Sequence, residues 1–109
     1  MLENKNFDFI NNAIADHNIV LFMKGTANFP QCGFSATVVS ILKKLTVEFH
    51  DINILSDNNL REDIKIFSDW PTIPQLYIKG EFIGGCDIIR EMYENGDLVE
   101  LLKDKKLIN

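Results

Sequence analysis

Residues 19–45 read IVLFMKGTANFPQCGFSATVVSILKKL, and the folding of this stretch decides the architecture around it. Its first five residues form an unbroken apolar run, which predicts a strand buried on both faces. Lys24 and Gly25 end the strand, and TANFPQ reads as a loop. Beyond it, Phe34, Val38, Ile41, Leu42 and Leu45 recur at i, i+4, i+7, i+8 and i+11, the pattern of an amphipathic helix with Cys32 in its first turn and Phe34 in the core. The thiol therefore sits at a helix N-terminus. A second cysteine three positions on would make a dithiol, but Ser35 stands there, so the chemistry must be that of one thiol.

The flanking sequence continues the alternation. Before the strand, Phe7, Ile10 and Ile14 fall at helical spacing and Asn18 is a helix stop. After the helix, VEFHDI (47–52) predicts a short strand. Ser56 or Asp57 can cap a helix carrying Leu60, Ile64 and Phe67, which must end near Asp69 because Pro71 follows. QLYIKGEFIGG (75–85) alternates about Lys79-Gly80 and predicts a hairpin. CDIIREMYENG directs Ile88, Ile89, Met92 and Tyr93 inward, and DLVELLKDKK does the same with Leu98, Leu101 and Leu102. The order helix, strand, helix, strand, helix, strand, strand, helix, helix predicts an α/β, thioredoxin-like fold: a central mixed four-stranded sheet flanked by helices on both faces.

With 109 residues, 46% of them hydrophobic, the chain is the size of a single domain spanning 1–109. A net charge of -5 with scattered basic residues offers no footprint for a phosphate backbone, so nucleic acid is not an expected partner. No apolar stretch is long enough to cross a bilayer, and no membrane partner is expected. The N-terminus has neither the basic start and apolar run of a signal peptide nor the composition of a transit sequence, so the expected compartment is the cytoplasm. There Cys32 and Cys86 read as free thiols.

Three blocks, MKGTANFPQCGFS (23–35), DWPTIPQLYI (69–78) and GEFIGGCDI (80–88), resemble those of the monothiol glutaredoxins of the CGFS type, and the likeness runs from about residue 7 to residue 102. The resemblance implies that the protein binds glutathione and carries a [2Fe-2S] cluster bridged between two copies of itself, with BolA-like proteins and iron-sulfur acceptor proteins as further partners. It also implies that the loop TANFPQ, longer than in dithiol glutaredoxins, displaces bound glutathione toward cluster binding.

The residues bear on these expectations directly. An unperturbed thiol is only about 3% thiolate at neutral pH. A helix end shifts it by less than about one unit, so a cation is required, and Lys24 at the end of the first strand is the candidate. A sulfur-held [2Fe-2S] cluster needs four thiolates. Cys32 supplies one per chain and so two per dimer; the remaining two come from two glutathione molecules, as the resemblance implies, or from Cys86 of each chain.

Glutathione is an extended tripeptide with two carboxylates and one amine. By family match, Lys24 and Arg61 take its glycine carboxylate, the helix start at Cys86 receives the γ-glutamyl carboxylate on backbone N–H groups, and Asp87 lies near the amine. If Ile73-Pro74 is cis, the backbone of Ile73 can pair with the ligand as an added strand. Trp70 and Thr72 border the same groove in the family pattern, but a lone Trp is more often core or rim packing, and neither is counted in the site. His17 and His50 lie in separate elements with no further ligand at metal-binding spacing. Two other activities remain open. One is removal of glutathione from protein mixed disulfides through Cys32. The other is a Cys32–Cys86 disulfide, which requires Cα atoms within about 7 Å.

Overall fold

The computed structural model describes residues 5–109. In chain order the elements are α1 (Lys5–Asp16), β1 (Ile19–Met23), α2 (Gly33–Lys44), β2 (His50–Asn53), a single 3-10 turn (Ile54–Ser56), α3 (Asn58–Ser68), β3 (Gln75–Ile78), β4 (Glu81–Gly84), α4 (Cys86–Asn95) and α5 (Asp97–Asp104). The strands form one sheet in the order β2-β1-β3-β4. β1 runs parallel to β2 and antiparallel to β3, which continues antiparallel into β4. This is the mixed four-stranded sheet of a thioredoxin-like fold.

Strand alternation divides the core between the two faces of the sheet. Ile19, Leu21 and Met23 of β1 join Val38, Leu42, Ile89, Leu98 and Leu102 from α2, α4 and α5. Val20 and Phe22 pack on the opposite face with Ile10, Leu60 and Ile64 from α1 and α3. A central strand covered on both sides has no solvated face, which is why β1 is apolar at every position.

Local chemistry sets the ends of the elements. The Asp57 carboxylate accepts hydrogen bonds from the N–H groups of Asn59 and Leu60, capping α3, and Asp69 at φ 53 closes it. Glu62 pairs with Lys65 on the outer face of α3, while Asp63 accepts a bond from Asn6. The hairpin turn places both Lys79 (φ 52) and Gly80 (φ 80) in the left-handed region, as a tight two-residue turn requires.

Three expectations need correction. The second strand begins at His50, not Val47, its pairing with β1 opening at the register Val20–His50; residues 47–49 instead follow the α2 terminus, where Val47 N–H bonds Leu42 O. Cys32 is the N-cap of α2, one residue ahead of the first turn. Phe34 is 61% exposed rather than core. The buried stripe of α2 runs through Ser35, Val38, Val39, Ile41 and Leu42, and Phe34 lies at its rim in the first turn, where the helix borders an open groove.

Candidate functional site

β1 delivers Lys24, and the loop after it returns the chain to Cys32 at the head of α2. Extended backbone at Cys32 (φ -151, ψ 136) leaves its side chain beside the free N–H groups of the first turn. The sulfur makes no capping hydrogen bond of full geometry, so these groups act on it as oriented dipoles. The thiol pKa is lowered, first by the Ser35 N–H, then, against the opposing effect of burial, by the Phe34 N–H, the Lys24 charge and the Ser35 hydroxyl. The cation thus contributes less than the nearest backbone group, the reverse of the order expected from sequence.

Ser35, where a second thiol would stand, is fully buried, and its Oγ accepts a hydrogen bond from Lys24 N–H at 3.1 Å. Cys86 behaves oppositely to Cys32. It is 8% exposed at the first position of α4, and burial pushes its thiol up, with Arg90 opposing and Asp87 reinforcing the shift. Both cysteines are free, and they are close enough for charge on Cys32 to act on Cys86.

A groove of about 430 Å³ gathers residues distant in sequence: Lys24, Arg61, Ile73, Cys86 and Asp87 all line it. Cys32 is not among the lining residues, but it lies within electrostatic reach of Lys24 and Cys86, which are. The peptide bond Ile73-Pro74 is cis. Among the described residues, neither Lys24 nor Arg61 has a carboxylate within ion-pair distance, whereas Asp87 pairs with Arg90 at 3.2 Å. At the groove, Arg61 Nε and Trp70 Nε1 are buried donors without a partner among the described residues. Phe34, Trp70 and Thr72 also line the groove, Phe34 against the core position that its helical spacing predicts and Trp70 and Thr72 beyond the expected site residues. The proline-bounded WPTIP segment was the available signal for Trp70 and Thr72.

The floor is braced from beneath. Gln75, fully buried, donates through Nε2 to the carbonyls of Trp70 and Thr72, both at 3.2 Å, and its Oε1 accepts a bond from Tyr77 OH at 3.3 Å. A buried amide with each end satisfied fixes the loop it touches. Away from the groove, His17 and His50 stack at 4.0 Å between ring centroids. Among the described residues no group of three or more His, Cys, Asp or Glu could hold a metal ion.

Comparison with known proteins agrees with this fold. The Glutaredoxin family model matches residues 19–83. The "Probable monothiol glutaredoxin 2" of Rickettsia typhi is 65% identical over 109 residues, covering 99% of this chain and 98% of its own. The solution structure of reduced apo GrxS14 from poplar superposes with a TM-score of 0.81 at 52% identity, covering 91% of each chain. A crystal structure of a buckwheat glutaredoxin–glutathione complex has a TM-score of 0.81 at 20% identity, covering 99% of this chain and all of that one, and shows likeness of fold. The chain belongs to the glutaredoxin family, and its close homologues are monothiol glutaredoxins.

Proposed function

We propose that this protein binds glutathione in the groove and carries a [2Fe-2S] cluster shared between two copies of the chain. The observation that carries this reading is the pairing of a pKa-lowered thiol at Cys32 with a groove in which, of the cations Lys24, Arg61 and Lys65, only Lys65 has a carboxylate partner among the described residues. The other two suit the glycine carboxylate, and Arg61 Nε adds an unspent donor. The first N–H groups of α4, at Cys86 and Asp87, suit the γ-glutamyl carboxylate. The Ile73 backbone beside the cis proline suits strand-like pairing with the middle of the tripeptide.

Cys32 supplies one thiolate per chain to the cluster. Cys86 is a poor choice for the missing ligands, because it is buried at the first position of α4 and a bridging ligand must be reachable from a second copy of the chain. Glutathione completes the set of four. The test is anaerobic reconstitution with iron and sulfide, reading visible absorbance, iron per subunit and molecular mass. With glutathione present the protein becomes brown and dimeric; stoichiometric metal without glutathione or any substitute thiol defeats the proposal.

The lowered Cys32 pKa also favours a second activity at the same site. The Cys32 thiolate attacks the glutathionyl sulfur of a mixed disulfide and releases the protein thiolate. A second glutathione thiolate then attacks the Cys32–glutathione disulfide, restoring Cys32 and forming glutathione disulfide. A colourless protein with fast glutathione-dependent turnover identifies this as the main activity.

A further inference from the structure

Asp51 and Asn53 hold the loop that precedes Cys32 from outside the groove. β2 is an edge strand, with β1 as its partner in the sheet. Its Ile52 is buried with α1 and α3. Asp51 and Asn53, on either side, face the opposite way and register with Leu21 and Met23. From there Asn53 Oδ1 accepts hydrogen bonds from the N–H groups of Gly25 at 3.0 Å and Leu55 at 2.9 Å. Asp51 Oδ2 accepts one from Ala27 N–H at 2.8 Å.

The loop is closed on itself as well as tethered. Gln31 N–H bonds Lys24 O at 2.9 Å, and Thr26 and Phe29 exchange backbone bonds at 3.1 and 3.2 Å. These internal bonds tie the loop together, so that two side-chain acceptors anchor it at Gly25 and Ala27. Its ends are Lys24 and, one residue past Gln31, Cys32. Asn53 is in addition the N-cap of the 3-10 turn that leads into α3, the helix bearing Arg61.

We propose that Asp51 and Asn53 are positioning residues that seat loop 24–31 on the sheet edge and so fix the Lys24 ammonium relative to Cys32 and Arg61. One amide oxygen, Asn53 Oδ1, references Lys24 and Arg61, two of the three cations lining the groove, to the same strand. The inference rests on the proposed function only for the identity of the ligand, glutathione.

The test compares Asp51→Ala with Asp51→Asn, and Asn53→Ala with Asn53→Ser; each second variant keeps an acceptor oxygen and carries the same charge as the alanine variant it is set against. The primary readout is the ratio of Cys32 alkylation rates by anionic iodoacetate and neutral iodoacetamide, which cancels the thiolate fraction and senses the nearby cations. In the alanine variants the ratio falls roughly two- to fivefold as Lys24 moves away. Amide exchange at Gly25 and Ala27 accelerates about tenfold while β1 and β3 keep their protection, and the glutathione Kd rises about three- to tenfold. The conservative variants recover most of each effect. An unchanged alkylation ratio in both alanine variants overturns the proposal, as does loss of protection across the whole sheet in step with the ratio. Wild-type protein that fails to bind glutathione defeats the proposed function and leaves the alkylation and exchange comparisons to decide this one.

Discussion

The buried hydroxyl of Ser35 accepts a hydrogen bond from the backbone N–H of Lys24 at 3.1 Å, joining the end of β1 to the first turn of α2. The position that would hold a second thiol in a dithiol protein is therefore a structural joint between the two residues that flank the chemistry. Sulfur is a weak acceptor and cannot replace the oxygen here.

Ser35→Ala leaves the Lys24 N–H without its partner and costs about 1–3 kcal/mol in urea unfolding. Ser35→Cys costs a similar amount, for the reason given. Variants within about 0.5 kcal/mol of wild type show that the N–H finds another partner at no loss.

The two thiols separate by pH. Cys32 has a lowered pKa, so its contribution to stability is present above the ordinary thiol pKa and is lost as pH falls through the folded value. Cys86 has a raised pKa, and its contribution is present below the ordinary value and lost as pH rises through the folded one. At about pH 7 iodoacetamide labels Cys32 well before Cys86, as mass spectrometry of the digested protein will show. Equal labelling at that pH contradicts the assignment.

Gly25 and Gly96 share a left-handed backbone, at φ +89 and +87, but not surroundings. A Cβ on Gly25 would lie 2.5 Å from Phe29 O and 2.6 Å from Gln31 N, whereas nothing lies within 4 Å of one on Gly96. Gly96→Ala costs about 1–2 kcal/mol for backbone conformation. Gly25→Ala costs at least about 3 kcal/mol and displaces the loop carrying the thiol, seen as lower stability together with slower Cys32 alkylation.

Tyr77 gives the protein an alkaline limit. Its hydroxyl lies in the core, and burial pushes its pKa up to about 12, with Ser68 acting in the opposite direction. Its contribution to stability is complete below the ordinary tyrosine value near 10 and falls as pH rises toward the folded value, by on the order of 2 kcal/mol. Tyr77→Phe shifts alkaline unfolding to higher pH, followed by far-ultraviolet circular dichroism. An unmoved transition assigns the limit to another group.

Arg61 and Trp70 show where reading the sequence reached its end. Helical spacing placed Arg61 on α3, but a solvated arginine and a ligand-binding one have the same local sequence. The fold decides, by burying Nε at the groove with no carboxylate beside it among the described residues. Trp70 reads as rim packing from its neighbours; tertiary contacts set its indole against Phe82, with ring centroids 5.7 Å apart, and beside Gly85. His17 and His50 are unrelated until the chain folds and stacks them.

By itself the sequence determined the order of elements, the two-residue hairpin turn, the capped start of the third helix and a lone thiol at the mouth of a helix. These follow from hydrophobic period and turn chemistry, which act over a few residues. Only the tertiary structure decided that Phe34 faces the groove, that backbone N–H groups outrank Lys24 in lowering the thiol pKa, and that Asp51 and Asn53 reach across to hold the loop. Those outcomes depend on which strands pair and in what register, and pairing between distant segments leaves no period in the chain.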